Sequence, residues 1–338
     1  MSLDLFVDGP RWRAHLRATA DANPGLVPVA KGNGYGFGLA GLARRAQWLG
    51  CDTIAVGTYR EVAHVVSRFE GNVLVLEPWR PFIADVPYGP RIVHTVGRVA
   101  DLVALGARAD RPRVTLEGLT SMDRHGLSPA DFLTAIRAAR GVRVEGHALH
   151  LPLGDGHVAE VEAWLRAAPA RRWYLSHVTR DDLGRLIEAH PGTELRPRVG
   201  TELWLGDREA LSARATVLDA HPVERGDRVG YRQRRFARSG TLLVVSGGTA
   251  HGIGLEGPSA AASPRHRARS LAKGGLDAMG RTMSPYLVSG KQRWFVEPPH
   301  MQVSMIHLPA GDRVPEIGEQ IDVQVRFTTT TFDQVHLS

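Results

Sequence analysis

The stretch VPVAKGNGYGFG, residues 27–38, closes an apolar run with a single ammonium group, Lys31, and follows it with four glycines. Burial beside apolar groups lowers a lysine's pKa and makes it usable as a nucleophile and base. Taken alone, Lys31 reads equally as a surface lysine at the start of a loop. Further polar groups recur just past β-rich runs: Arg124 in TSMDRHG, His150 closing HALH, His177 in LSHV, and Arg198 with Gly200 in RPRVGTELWLGD. A strand-end histidine alone is more often a satisfied structural group than a catalyst. Gathered at one rim, these positions describe a lysine-based site that binds an anion. The VGT run after Arg198 offers backbone N–H groups on which a phosphate could dock.

The elements that must position them alternate along the first 200 residues. Strand-like runs lie at 26–30, 53–57, 72–77, 91–96, 113–118, 142–150, 173–178 and 194–199. Helix-like stretches such as LAGLARRAQWLG, RVADLVALG, SPADFLTAIRAAR and HVAEVEAWLRAA separate them. SPADF carries a serine N-cap, a proline at the first helical position and an aspartate in the first turn. Eight β-runs separated mostly by helices predict an α/β fold, a closed (β/α)8 TIM-like barrel, over an open doubly wound sheet. In such a barrel the C-terminal strand ends share one rim, where the site belongs. The last 130 residues are β-rich, with turns such as ERGD and PAGD, and predict an all-β C-terminal domain. The expected boundaries are 8–207 for the barrel and 208–338 for the β domain, with the alternating strand in 1–7 pairing into the latter. Residues 256–278, small, polar and basic, read as a mobile loop.

Bulk properties narrow the class. The chain has 338 residues, 43% hydrophobic and 23% charged, which is ordinary for a globular protein. No run is long and apolar enough to span a membrane, and the N-terminus lacks a signal-peptide layout. One cysteine, Cys51, excludes an internal disulfide and a cysteine-based zinc site. A cytoplasmic location is the expectation, and no metal is called for. The net charge of +7 is carried mostly by arginine. The arginines read as spread through helices without interleaved aromatics, which favours anionic small ligands over nucleic acid.

Together the motifs resemble the alanine racemase family, barrel-type enzymes that use pyridoxal 5'-phosphate (PLP). VPVAKGNGYGFG resembles the family's lysine segment, and VTLEGLTSMDRHG its threonine–x–methionine–x–arginine–x–glycine segment. VEGHALH and RPRVGTELWLGD match later barrel segments. RGDRVGY and PYLVSGKQRWFVEPPHM resemble pieces of the β domain. The resemblance implies that Lys31 holds PLP as a Schiff base and moves one proton. It implies that Tyr35 contacts the phosphate, that Arg124 binds near the ring's phenolic oxygen and the substrate carboxylate, and that His150 lines the cofactor pocket. Arg198 would face the pyridine nitrogen and leave it unprotonated. Gly200 and Thr201 would offer backbone donors to the phosphate. The family's modified lysine carbamate is replaced by Glu117, which is expected to pair directly with Arg124. A homodimer sharing its active site across the interface is also implied.

The substrate-facing half departs from the family pattern. The catalytic tyrosine's place falls to Thr249 in GGTAHG, and an aliphatic hydroxyl cannot replace a phenol as an acid–base group. His251 stands next to it, and His300 takes the place of a substrate-contacting aspartate. His177 stands where a phosphate-binding serine is usual, and the chain stops before a C-terminal tyrosine that helps hold the phosphate. His251 and His300 are therefore the candidate acids opposite Lys31, since histidine as a residue type exchanges protons near neutral pH. The expected activity is a PLP-dependent amino-acid racemase or epimerase with an altered second base. The alternatives are another PLP reaction on the same scaffold, an aldolase, dehydratase or decarboxylase, or a non-catalytic PLP-binding protein.

Overall fold

Short runs of Val, Ile, Leu and Ala that are buried on both faces pair only where both faces are covered, and that condition builds the first unit. A computed structural model describes residues 2–154, 156–255 and 282–338. After an N-terminal strand β1 (Leu3–Val7), eight strands follow: β2 (Val27–Ala30), β3 (Thr53–Val56), β4 (Asn72–Pro78), β5 (Ile92–Val96), β6 (Arg113–Gly118), β7 (Arg143–His150), β8 (Arg172–Ser176) and β9 (Glu194–Val199). They are parallel and close into a barrel in sequence order. Closure comes from β2 and β9, with Val27 opposite Arg198 and Pro28 opposite Val199. The (β/α)8 barrel expected from the strand count is the fold observed. Inside, Val29, Ala55, Leu74, Val93, Ala148 and Tyr174 pack together. The helix Pro129–Ala138 starts where its sequence signals place it, with the Ser128 hydroxyl accepting from Asp131 N at 3.2 Å.

The second unit is built from β-strands, several of which alternate more and less buried residues, the pattern of a sheet with one wet face. These are β10 (Leu211–Val223), β11 (Arg228–Val229), β12 (Arg234–Arg235), β13 (Gly240–Ser246), β14 (Met283–Val288), β15 (Lys291–Phe295), β16 (Val303–Pro309), β17 (Gln320–Val323) and β18 (Gln334–Leu337). An eight-stranded sheet runs β13-β16-β15-β14-β17-β10-β1-β18. The long β10 pairs with β17 through Ala213–Thr216 and with β13 through Val217–Val223, so the sheet curls back on itself. β1 lies antiparallel to β10 and parallel to β18. Leu3, Val217, Leu243, Tyr286 and Ile306 are among its core residues.

The chain divides into Arg13–Gly206 as one compact unit, and Met1–Trp12 with Asp207–Ser338 as the other. The basic stretch 256–278 lies outside the described residues. Among those described, no helix is long and apolar enough to cross a membrane. One expectation needs correction. The arginines are not evenly spread: six of them, at 225, 228, 232, 234, 235 and 238, fall in the short segment that contains β11 and β12. A helix-by-helix reading missed them because the segment has neither helical nor strand periodicity.

Candidate active site

Lys31 directly follows β2, at the C-terminal rim of the barrel. The turn after it is tight. Lys31 O accepts from Gly34 N at 3.1 Å, and Gly34 sits at φ +64°, where a Cβ would press on Leu39 N at 2.7 Å. Tyr35 adopts φ 54°, a strained left-handed value for a bulky side chain. That backbone turns its ring inward, so that it is 5% exposed. A Cβ on Gly200 would overlap the Tyr35 hydroxyl, so glycine there is what lets the phenol approach. Burial raises the Tyr35 pKa to about 12, its hydrogen bond with Thr201 opposing, so the group stays a protonated donor. Tyr35, Gly200 and Thr201 are thus brought together.

A residue that sequence reasoning missed laces the turn to its neighbour. The Glu61 carboxylate accepts from Gly32 N at 2.9 Å, Gly57 N at 2.6 Å and Thr58 N at 3.2 Å. A Cβ on Gly57 would stand 3.0 Å from both Lys31 Cβ and Glu61 Oε2. The signal was present: Thr58–x–x–Glu61 is a capping box at the start of a helical turn.

The cations of the rim act on one another. Lys31 is exposed at the rim, yet partial desolvation lowers its pKa, and Arg124 and Arg198 lower it further, against the opposing pull of Glu61. Arg198 on β9 is buried and donates to Leu149 O at 2.8 Å, while its Nε has no hydrogen-bond partner. His150 ends β7, and His177 follows β8 at φ 62°. Their rings meet edge to face at 5.2 Å. Burial, then Arg198, Arg124, His177 and Lys31, push His150 down to about 3. Burial and the charge of Lys31 lead the depression of His177. Both imidazoles are therefore neutral near pH 7, while the arginines stay charged. Ser176, the last residue of β8, was also missed; it is buried and pairs in register with His150.

The expected ion pair between Glu117 and Arg124 does not form. Glu117 lies on β6 at 4% exposure, and its Oε2 has no partner. Arg124 sits in the exposed turn after that strand and makes no hydrogen bond or ion pair with any described residue. Glu117 is instead a buried carboxyl whose pKa is raised by burial, with Arg198 the strongest opposing charge and Arg124 second. A strand side chain inside the barrel and a loop guanidinium in solvent interact here only at longer range.

His251 and His300 lie in the other unit. His251 closes the 3-10 turn Thr249–His251 after β13 and is 7% exposed. Its Nδ1 accepts from Gly248 N at 3.3 Å, and its Nε2 meets both Asp333 oxygens at 3.2 Å. With both ring nitrogens engaged, it has none free for a substrate proton. His300 is more open, with its side chain 26% exposed. Its Nε2 lies 2.6 Å from Oε1 of buried Glu297, its ring packs 4.6 Å from Tyr231, and its Nδ1 has no partner among the described residues. His300 O accepts from Thr249 N at 2.8 Å, so the backbones of the two residues are neighbours. Glu297 was not anticipated; its spacing of three from His300 was the available sign.

The rim thus combines an amine of lowered pKa with a buried Arg198 and an exposed Arg124, cations whose mutual repulsion an anion would relieve. Comparison with known proteins matches residues 11–176 to the model of the alanine racemase N-terminal domain. An alanine racemase from Mycolicibacterium vanbaalenii is 27% identical over 267 residues, covering 68% of this chain and 66% of that protein, just under two thirds. One from Nitratidesulfovibrio vulgaris is 26% identical over 281 residues, covering 73% and 76%. The fold is similar to the crystal structure of alanine racemase from Bartonella henselae with covalently bound pyridoxal phosphate, with a TM-score of 0.73, 15% identity and full coverage of both chains.

Proposed function

Because this chain is a divergent member of the alanine racemase family, we propose that it is a PLP-dependent amino-acid racemase or epimerase whose second acid–base group is His300 rather than a tyrosine. The observation that carries the reading is Lys31: an amine at the barrel rim with its pKa lowered by partial desolvation and by Arg124 and Arg198.

The residues present fit the cofactor. The Lys31 amine matches its aldehyde. The unpartnered, buried Nε of Arg198 suits a ring nitrogen that accepts a hydrogen bond. Tyr35, held as a protonated phenol against Gly200 and Thr201, suits a phosphate. His150 and His177, kept neutral, can donate to the cofactor without adding charge. When bound, PLP supplies the electron-withdrawing system that acidifies the Cα–H of an amino acid. Arg124, exposed and unpaired, suits the substrate carboxylate.

Lys31 then removes or returns the Cα proton on one face. On the other, His300 Nδ1 exchanges a proton with Cα, while Glu297 holds the opposite ring nitrogen and so fixes the tautomer. We infer a homodimer in which each copy's β unit serves the other's barrel, and a cytoplasmic setting. Support for a racemase over one-face chemistry is the Nδ1 of His300, which has no partner among the described residues while Nε2 is held by Glu297.

The test is a screen of amino acids for Cα proton–deuterium exchange in D2O with PLP-loaded protein. Exchange with inversion is expected. Exchange without inversion would move the assignment to one-face PLP chemistry. A protein that acquires no visible PLP absorption would overturn the whole reading.

A further inference from the structure

The segment that contains β11 and β12 carries six arginines against two acids, Glu224 and Asp227, a surplus of four of the chain's seven net positive charges. None of the six forms an ion pair among the described residues, whereas elsewhere in this unit Arg293 pairs with Asp312 and Arg313 with Glu319. Three of them, Arg234, Arg235 and Arg238, line a cavity of about 680 Å³ that also takes in Phe236, Trp294 and His307. Trp294 and His307 are cross-strand partners on β15 and β16, so their side chains stand together on one face. Trp294 leaves 37% of a large ring exposed. His307 Nε2 is shielded from water yet has no hydrogen-bond partner, an arrangement that native structures rarely leave unsatisfied. The His307 ring packs 5.3 Å from Phe236.

We propose that this cavity is a nucleotide site, taking a ligand with a flat heterocycle and at least two phosphates. Unneutralised arginines clustered at close range repel one another, and a polyanion relieves that repulsion. Guanidinium forks match phosphate oxygens in pairs, which lysines do not. The exposed Trp294 ring offers a stacking face to a base, beside the ring of His307. The cavity has the size of a small-molecule site. The proposal is independent of the barrel chemistry.

Calorimetric titration of the full chain, loaded with PLP so that the barrel rim is filled, tests it with ADP and with inorganic pyrophosphate as probes. ADP is expected to bind one per chain, more tightly than pyrophosphate. Arg235→Glu and Arg238→Glu should each weaken both probes about tenfold, as loss of a charge-assisted contact does. Trp294→Ala should weaken ADP about tenfold and leave pyrophosphate unchanged, while Trp294→Phe, which keeps a ring, restores most of the affinity. No binding of ADP at millimolar concentration, or binding indifferent to these variants, would overturn the proposal. Pyrophosphate binding as tightly as ADP would overturn the nucleotide assignment. So would a single-stranded oligonucleotide that binds more tightly than ADP and displaces it.

Discussion

Two histidines at the barrel rim and two in the β unit are built in opposite ways. In the barrel, His150 and His177 lie edge to face, and burial, reinforced by the charges of Lys31, Arg124 and Arg198, holds both imidazoles neutral. In the β unit, His251 and His300 each stand against a carboxylate, Asp333 and Glu297. A ring among cations serves as a neutral hydrogen-bonding wall. A ring with one nitrogen on a carboxylate and the other open is the arrangement of a proton-transfer group. Only His300 meets the second description, since both nitrogens of His251 are occupied. The residue type is the same four times; the neighbours decide what it can do.

This contrast can be broken most decisively at Lys31. Lys31→Ala should abolish the visible PLP absorption and lower turnover by about a thousandfold or more, within the range attributed to a positioned acid–base group; spectra and steady-state kinetics check both. Next comes His300→Asn, which should reduce racemisation about a hundredfold while Cα exchange from one enantiomer survives. Equal loss from His251→Asn, in a variant that still folds, would reverse the assignment within the β unit. Gly200→Ala sharpens the barrel side. The added methyl must displace the Tyr35 hydroxyl, with a cost of about 1–3 kcal/mol in stability and faster loss of PLP on dialysis.

Glu297→Gln tests the positioning of His300. It should lower racemisation about tenfold through loss of a charge-assisted hydrogen bond. It should also move the acidic limb of the pH–rate profile, which a purely structural carboxylate would not do, and Glu297→Asp should recover part of the rate. The smallest effects are the titrations themselves. His94 and His147, held at about 4, and His150, at about 3, all lie below the ordinary 6.5. Burial leads each shift, so the unfolded chain binds the protons that the folded barrel refuses. Their contribution to stability is complete above pH 6.5 and is lost as pH falls towards those lowered values. Denaturant midpoints that decline from pH 6.5 to 4 would show it; a flat profile would mean that these imidazoles are hydrated.

The eight barrel strands were legible because each is a short apolar run bounded by turn residues, and helices between them permit only parallel closure. The β unit was legible from alternation. The arginine segment was not, since β11 and β12 are two residues each and carry no period. Glu61 and Glu297 escaped for a different reason. A carboxylate's role depends on which backbone N–H or ring nitrogen reaches it, and those partners lie on other segments or are presented by a turn. The Glu117–Arg124 pairing failed for the same cause: seven residues of separation said nothing of the fact that one side chain enters the barrel while the other stays in solvent.

The sequence alone determined the barrel, the β unit, the lysine at the end of the first barrel strand and the cations at its rim. Local periodicity and residue type carry that much. Tertiary structure decided which of these groups are charged, which nitrogens are free and which carboxylates are shared. Those properties arise from burial and from distances between residues far apart in the chain, and no spacing along the chain encodes them.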